Sequence, residues 1–240
     1  MASRKTLSII NVFGEILITI GVLILLFLGW QLWINDSMTA ISASRAAAAE
    51  ASRWAPVTPG SEPVEKDFGA APVARRVGSG QTIAVIYIPR LGVNSARSVK
   101  ESVVPTITLN RGFFGHYPDS AMPGEAGNFA LAVHRGGWGS NFKQAQIIRT
   151  GDNIYLETQD GYYMYTVRNI EYVLPTSVDV LNPIPGTTSE AVPGQSILTI
   201  TTCSPQEDNT ERIAVYAVYD SWRPLNAGPF PEIIPMKAKA

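Results

Sequence analysis

The chain has 240 residues, 45% of them hydrophobic and 16% charged, which suits one or two folded domains and excludes a wholly disordered protein. Nineteen Lys and Arg stand against twenty Asp and Glu, a formal charge of −1, so the long-range field a nucleic-acid binder relies on is missing. A single cysteine, Cys203, excludes an internal disulfide framework and a thiolate-rich zinc site, and with only His116 and His134 a His-rich metal site is not expected.

The N-terminal region is apolar. Ile16 to Ile34 runs nineteen residues without a charge, just long enough at about 1.5 Å per residue to cross a bilayer core of about 30 Å. Trp30 and Trp33 stand near its end, where amphipathic rings suit the membrane interface. Arg4 and Lys5 precede it, so the positive-inside tendency predicts a cytoplasmic N-terminus with the rest of the chain outside. The apolar run is longer than a signal-peptide core of about 7–15 residues, so residues 1–35 are expected to be a retained anchor and not a cleaved leader.

Residues 36–80 are rich in Ala, Ser, Pro and Gly. Ala40–Ser52 has the composition to extend the anchor helix, and from Pro56 onward the prolines and glycines predict an irregular spacer that holds a domain off the membrane.

The folded domain is expected over 81–223. Short β-branched and aromatic runs separated by turn signals predict strands at 82–88, 129–134, 153–158, 162–173, 197–202 and 213–220. Gln159-Asp160-Gly161 marks a hairpin between the third and fourth of these. Short helices are expected around Phe142–Arg149 and Glu101–Leu109, and the whole reads as an all-β barrel or sandwich. Residues 224–240, with four prolines, read as an extended or disordered tail.

Cys203 follows an Ile/Thr alternation and precedes Ser204-Pro205, so it sits at the end of its strand, since proline cannot continue a central ladder. Eight residues, Ser204 to Glu211, join it to the strand that Arg212 introduces. If the two strands are antiparallel neighbours, Cys203 and Arg212 share one rim. His134 ends another strand, before a Gly-Gly turn. Taken singly, each has an ordinary reading: a buried small hydrophobe, a surface imidazole, a solvated guanidinium. Their joint placement at strand ends is what points to chemistry.

Thr199-Ile200-Thr201-Thr202-Cys203, an arginine nine residues later and P-G-E-A-G-N-F-A-L-A-V-H-R at 123–135 together resemble the sortases, membrane-anchored cysteine transpeptidases of Gram-positive bacteria. The resemblance spans about 82–220, with Ile200 standing where the family signature T-L-x-T-C has Leu. G-H-Y-P at 115–118 and the Gly-Asn before the histidine strand are most similar to the class E enzymes of actinobacteria. No Asp-Pro-aromatic lid motif occurs in 36–80, which counts against the pilus-polymerising class C.

The resemblance implies an eight-stranded sortase-type barrel with one or two short helices, preceded by a transmembrane helix. It implies cleavage of an LAxTG/LPxTG-type C-terminal sorting signal between Thr and Gly, a thioester on Cys203, and transfer to an amine of a lipid-linked peptidoglycan precursor. Cys203 maps to the nucleophile, His134 to the general acid and base, and Arg212 to the group that holds the oxyanion. Tyr117, Thr199, Thr202 and Ser204 are candidate substrate contacts, His116 is left to a supporting or surface role, and no metal or cofactor is expected. Two other readings stay open: a silent membrane-tethered module that binds cell wall or a partner, and a cysteine protease that hydrolyses the same bond. Cys203→Ala separates the first from an enzyme, and an added amine acceptor separates the second.

Overall fold

The computed structural model describes residues 2–30, 35–54, 68–137, 142–206 and 208–238. Helix α1 covers Ala2–Gly29, and its stretch Asn11–Gly29, with mean hydropathy 2.5, is long and apolar enough to cross a membrane. Trp33 and Ile34, the far end of the expected span, lie outside the described residues.

Eight strands close into a barrel. They are β1 Thr82–Tyr87, β2 Arg97–Glu101, β3 Phe114–His116, β4 Gly127–Ala132, β5 Asn153–Glu157, β6 Gly161–Val173, β7 Ser196–Ser204 and β8 Glu211–Pro224, in the order β1-β2-β3-β4-β7-β8-β6-β5. Closure gives each of these strands a neighbour on both sides. The Asp160-Gly161 turn makes the β5–β6 hairpin, with Thr158 N–H donating to Gly161 O at 2.9 Å. Ile86, Val99, Phe114, Phe129, Leu131, Leu156, Leu198, Ile200 and Val215 fill the interior. The even residues of β7 point into this core and the odd ones outward, the period-two alternation of a strand.

Two pairings are parallel, β2 with β3 and β4 with β7. The second matters most, because it carries the C-terminal ends of β4 and β7 to the same rim, with Ala132 level with Thr201. Gly115 in β3 has no room for a side chain: a Cβ there would sit 2.5 Å from Ser102 O.

Three expectations need correction. The region 142–149 holds only a single 3-10 turn at Ala145–Ile147, and 101–109 is the end of β2 followed by turns that lead into a 3-10 turn at Leu109–Arg111. The segment after Arg223 is not an extended tail. It forms 3-10 turns at Leu225–Ala227 and Pro231–Ile233 and helix α3 Ile234–Ala238, with Ile233 and Met236 buried. Lys237 reaches the fully buried Glu157 carboxylate, which also accepts from Tyr87 Oη at 2.6 Å. That interior ion pair holds α3 against the barrel.

The region 36–80 is not a free tether along its described length. Helix α2, Asn35–Ala51, buries Ala47 and Ala51 against Val85, Tyr87 and Tyr155. Its Glu50 carboxylate accepts from Thr82, from Ser98 at 2.6 Å and from Lys100 at 3.2 Å. These partners hold the Glu50 carboxyl below its ordinary pKa against the opposing effect of burial. Farther on, Gly69 O accepts from Trp222 and Pro72 O from Tyr163, so 68–80 also lies on the barrel. The proline-rich part, 55–67, lies outside the described residues.

Candidate active site

Cys203 is the penultimate residue of β7, partly exposed, and stands directly opposite Arg212 of β8. Facing residues of an antiparallel pair have Cα atoms about 4.5–5.5 Å apart and share a face, so thiol and guanidinium leave the barrel on the same side. Arg212 Nη1 donates to Asn209 O at 2.9 Å and to Glu211 O at 2.8 Å, which folds its stem over its own loop.

The β4–β7 pairing brings in the imidazole. Val133 N–H donates to Thr201 O at 3.0 Å and Thr202 Oγ1 to Val133 O at 2.8 Å, so the pairing outlasts β4 proper. The pairing therefore runs to within two residues of the cysteine, and His134 follows Val133 directly at that rim. His134 Nε2 lies 2.9 Å from Asn110 Oδ1. That carbonyl oxygen only accepts, so Nε2 carries the hydrogen and Nδ1 is left for chemistry. Partial burial lowers the His134 pKa below its ordinary value of 6.5.

The residue after it, Arg135, ties the ends together. Its Nη1 donates to Ser204 Oγ at 3.0 Å and to Cys203 O at 3.5 Å, and its Nη2 to Gln146 Oε1 at 3.1 Å. Beside it lies a cleft of about 500 Å³ lined by Arg135, Gln144, Gln146, Ser204 and Gln206, among others.

Between Tyr117 on one flank and the β6–β7 connection on the other lies the outer face of β7, the candidate substrate groove. Tyr117, just past β3, donates its hydroxyl to Thr201 Oγ1 at 3.4 Å, because the Thr201 hydrogen is already given to Leu131 O at 3.1 Å. Thr201 is two residues from Cys203 and shares its face, about 7 Å away along the strand. On the other flank the β6–β7 connection covers Ala214 and Tyr216 with Val180. Asn128, the Asn of the Gly-Asn pair, pins that connection by donating to Val180 O at 3.1 Å and Asn182 O at 3.0 Å. Leu174 and Val178 at its start are largely exposed.

The four expected substrate contacts divide. Tyr117 lies on the groove. Ser204 lines the Arg135 cleft. Thr202 faces the core, with its hydroxyl donated to Val133 O, and is no groove residue. Thr199 shares the Cys203 face but is fully buried. Asn110 has no signal in the sequence, and Asn128 stands there only within the Gly-Asn motif, with no contact assigned to it. Arg135 has a local signal too, its place directly after the strand-end histidine. Asn110 meets His134 from 24 residues away, which no spacing announces.

The chain matches the Sortase domain family over residues 86–220. It is 36% identical over 224 residues to Sortase SrtE1 of Streptomyces coelicolor, covering 90% of this chain and 58% of that protein. It is 31% identical over 229 residues to Sortase SrtE2 of the same organism, covering 89% of this chain and 83% of the relative. The chain therefore spans less than two thirds of the first relative and most of the second. The crystal structure of Sortase E1 from Streptomyces coelicolor with a tripeptide in its active site superposes with a TM-score of 0.59 at 34% identity, over 65% of this chain and 98% of that one.

Proposed function

The chain belongs to the sortase family, with class E relatives, and from that premise we propose that it is a cysteine transpeptidase acting on C-terminal sorting signals of the LAxTG/LPxTG type. Cys203 attacks the Thr carbonyl as its thiol proton passes to His134, and the thioester forms with the Gly amine expelled. His134 protonates that amine and later takes a proton from the incoming acceptor. Arg212 holds the oxyanion in both steps, with a fork of donors that a lysine cannot reproduce. The acceptor is an amine of a lipid-linked peptidoglycan precursor.

The observation that supports this reading is the register: Cys203 stands opposite Arg212 across β7 and β8, and His134 follows two residues after Ala132, which is level with Thr201 across β4 and β7. Exposed Leu174 and Val178 offer apolar contact for the leucine of the signal. Helix α1 fits a membrane anchor, and Arg4 and Lys5 favour a cytoplasmic N-terminus with the barrel outside. Sharing a membrane with its substrates and acceptor raises their effective concentration over water.

The test is product analysis. The full-length protein in detergent is given a Leu-Ala-x-Thr-Gly peptide and an amine acceptor peptide, and the products are separated by mass. The transpeptidase reading expects an amide-linked conjugate. Hydrolysed peptide alone makes the protein a protease, and no cleavage by a folded protein leaves the silent binding module.

A further inference from the structure

Outside the Cys203 site the interior holds a second arrangement of titratable groups. Glu101 and His116 are register partners across the parallel β2–β3 pair, and His116 is fully buried. His116 Nδ1 lies 2.9 Å from Glu101 Oε2, and Nε2 lies 2.9 Å from Ser120 Oγ and 3.1 Å from Ala121 O. The ring stacks on Phe129 with centroids 5.0 Å apart.

A serine, a histidine and a carboxylate in a row suggest a nucleophile, but the donors run the wrong way. Ala121 O only accepts, so Nε2 carries a hydrogen and cannot take a proton from Ser120. Ser120 gives its own hydrogen to Tyr117 O at 2.8 Å, and its oxygen accepts from His116 Nε2 and from Ala130 N–H at 3.1 Å. Ser120 Oγ is thus the knot of the turn 117–120, tied to β3, to β4 and to the carbonyl of Tyr117. Tyr117, the next residue along the chain, points the other way, to the groove, where its hydroxyl meets Thr201 on the Cys203 face.

We propose that His116, backed by Glu101 and acting through Ser120, is a positioning residue that fixes the Tyr117 corner and so sets the affinity of the groove for the sorting signal. It takes no part in acyl transfer. This rests on the reading that a signal peptide lies along β7 beside Cys203. Histidine suits the place because one ring bridges a carboxylate on one side and a hydroxyl on the other.

The experiment is steady-state kinetics of the full chain in detergent with Leu-Ala-x-Thr-Gly and Leu-Pro-x-Thr-Gly peptides. The variants are His116→Asn, His116→Gln, Ser120→Ala, Tyr117→Phe and the double variant Ser120→Ala with Tyr117→Phe. Ser120→Ala and His116→Asn, which keeps a donor for Glu101 but none for Ser120, are expected to raise KM about five- to tenfold, with kcat within about twofold. His116→Gln, whose amide nitrogen reaches the Nε2 position, restores most of the affinity. The double variant raises KM no more than the larger single effect, because the two changes act through one residue. Should His116→Asn fail to fold, Ser120→Ala, at a partly exposed position, carries the test. Folded variants with unchanged KM, or with kcat lowered at constant KM, overturn the proposal while the wild type still turns over. A wild type that no peptide acylates overturns the underlying reading instead.

Discussion

Cys203 and Arg212 face each other across the last rungs of the β7–β8 ladder, two residues from where the loop between the strands begins and ends. Their separation is set by backbone pairing and not by a mobile loop, which is how a reacting centre and an oxyanion donor are held in fixed relation.

Arg212→Lys keeps the charge but replaces a planar fork with a single ammonium. We expect kcat for peptide cleavage to fall about 10²–10³-fold with the fold intact. Wild-type turnover in this variant, measured beside its circular dichroism, contradicts the oxyanion role.

The pH dependence follows from His134. Burial disfavours its imidazolium, so its pKa lies below 6.5 and most of the ring is neutral at pH 7. The acid limb of kcat/KM therefore falls below pH 6.5, where the ring is already protonated and cannot take the proton of the attacking thiol. Asn110→Ala frees Nε2 from its acceptor, and a loss of about tenfold in kcat is expected from the misdirected ring. An acid limb well above 6.5, or an unaffected Asn110→Ala, speaks against this arrangement.

Arg135→Lys tests the tie between the β4 and β7 ends. Lysine cannot reach Ser204, Cys203 O and Gln146 together, so we expect kcat to drop by about tenfold with KM little changed. An equal effect on thermal stability and none on kcat assigns Arg135 a purely structural part.

Six of the eight strands were legible because their Val, Ile, Tyr and Thr runs are bounded by Gly, Pro or Asp-Gly. The facing of Cys203 and Arg212 was legible because a short loop joins two such runs. β2 was not. Its Arg-Ser-Val-Lys-Glu has a loop's polarity, yet it is mostly buried because Arg97 caps the Asn94 and Ala96 carbonyls, Ser98 and Lys100 meet Glu50, and Glu101 meets His116. β3 was hidden for a related reason: Gly115-His116-Tyr117-Pro118 carries turn residues, and its glycine is there for the close approach of Ser102 O. Helix α2 and the C-terminal turns were read as composition alone, and what docks them is a few buried apolar residues together with one polar anchor each, Glu50 in one and Lys237 in the other.

Lys237→Met examines that second anchor. It leaves the buried Glu157 carboxyl without its cationic partner, with the Tyr87 and Tyr162 hydroxyls as donors, and a loss of about 3–5 kcal/mol is expected in denaturant melts. Replacing Glu157 by Gln as well is expected to recover part of it. A neutral single variant means the α3 contact contributes little to the fold.

The most direct measurement is intact-mass spectrometry of the full-length protein after brief exposure to a Leu-Ala-x-Thr-Gly peptide. The account predicts a protein species heavier by the acyl fragment up to Thr, released by hydroxylamine and missing in Cys203→Ala. A wild-type mass that stays unchanged while the peptide is consumed, or an adduct that survives the loss of Cys203, contradicts it.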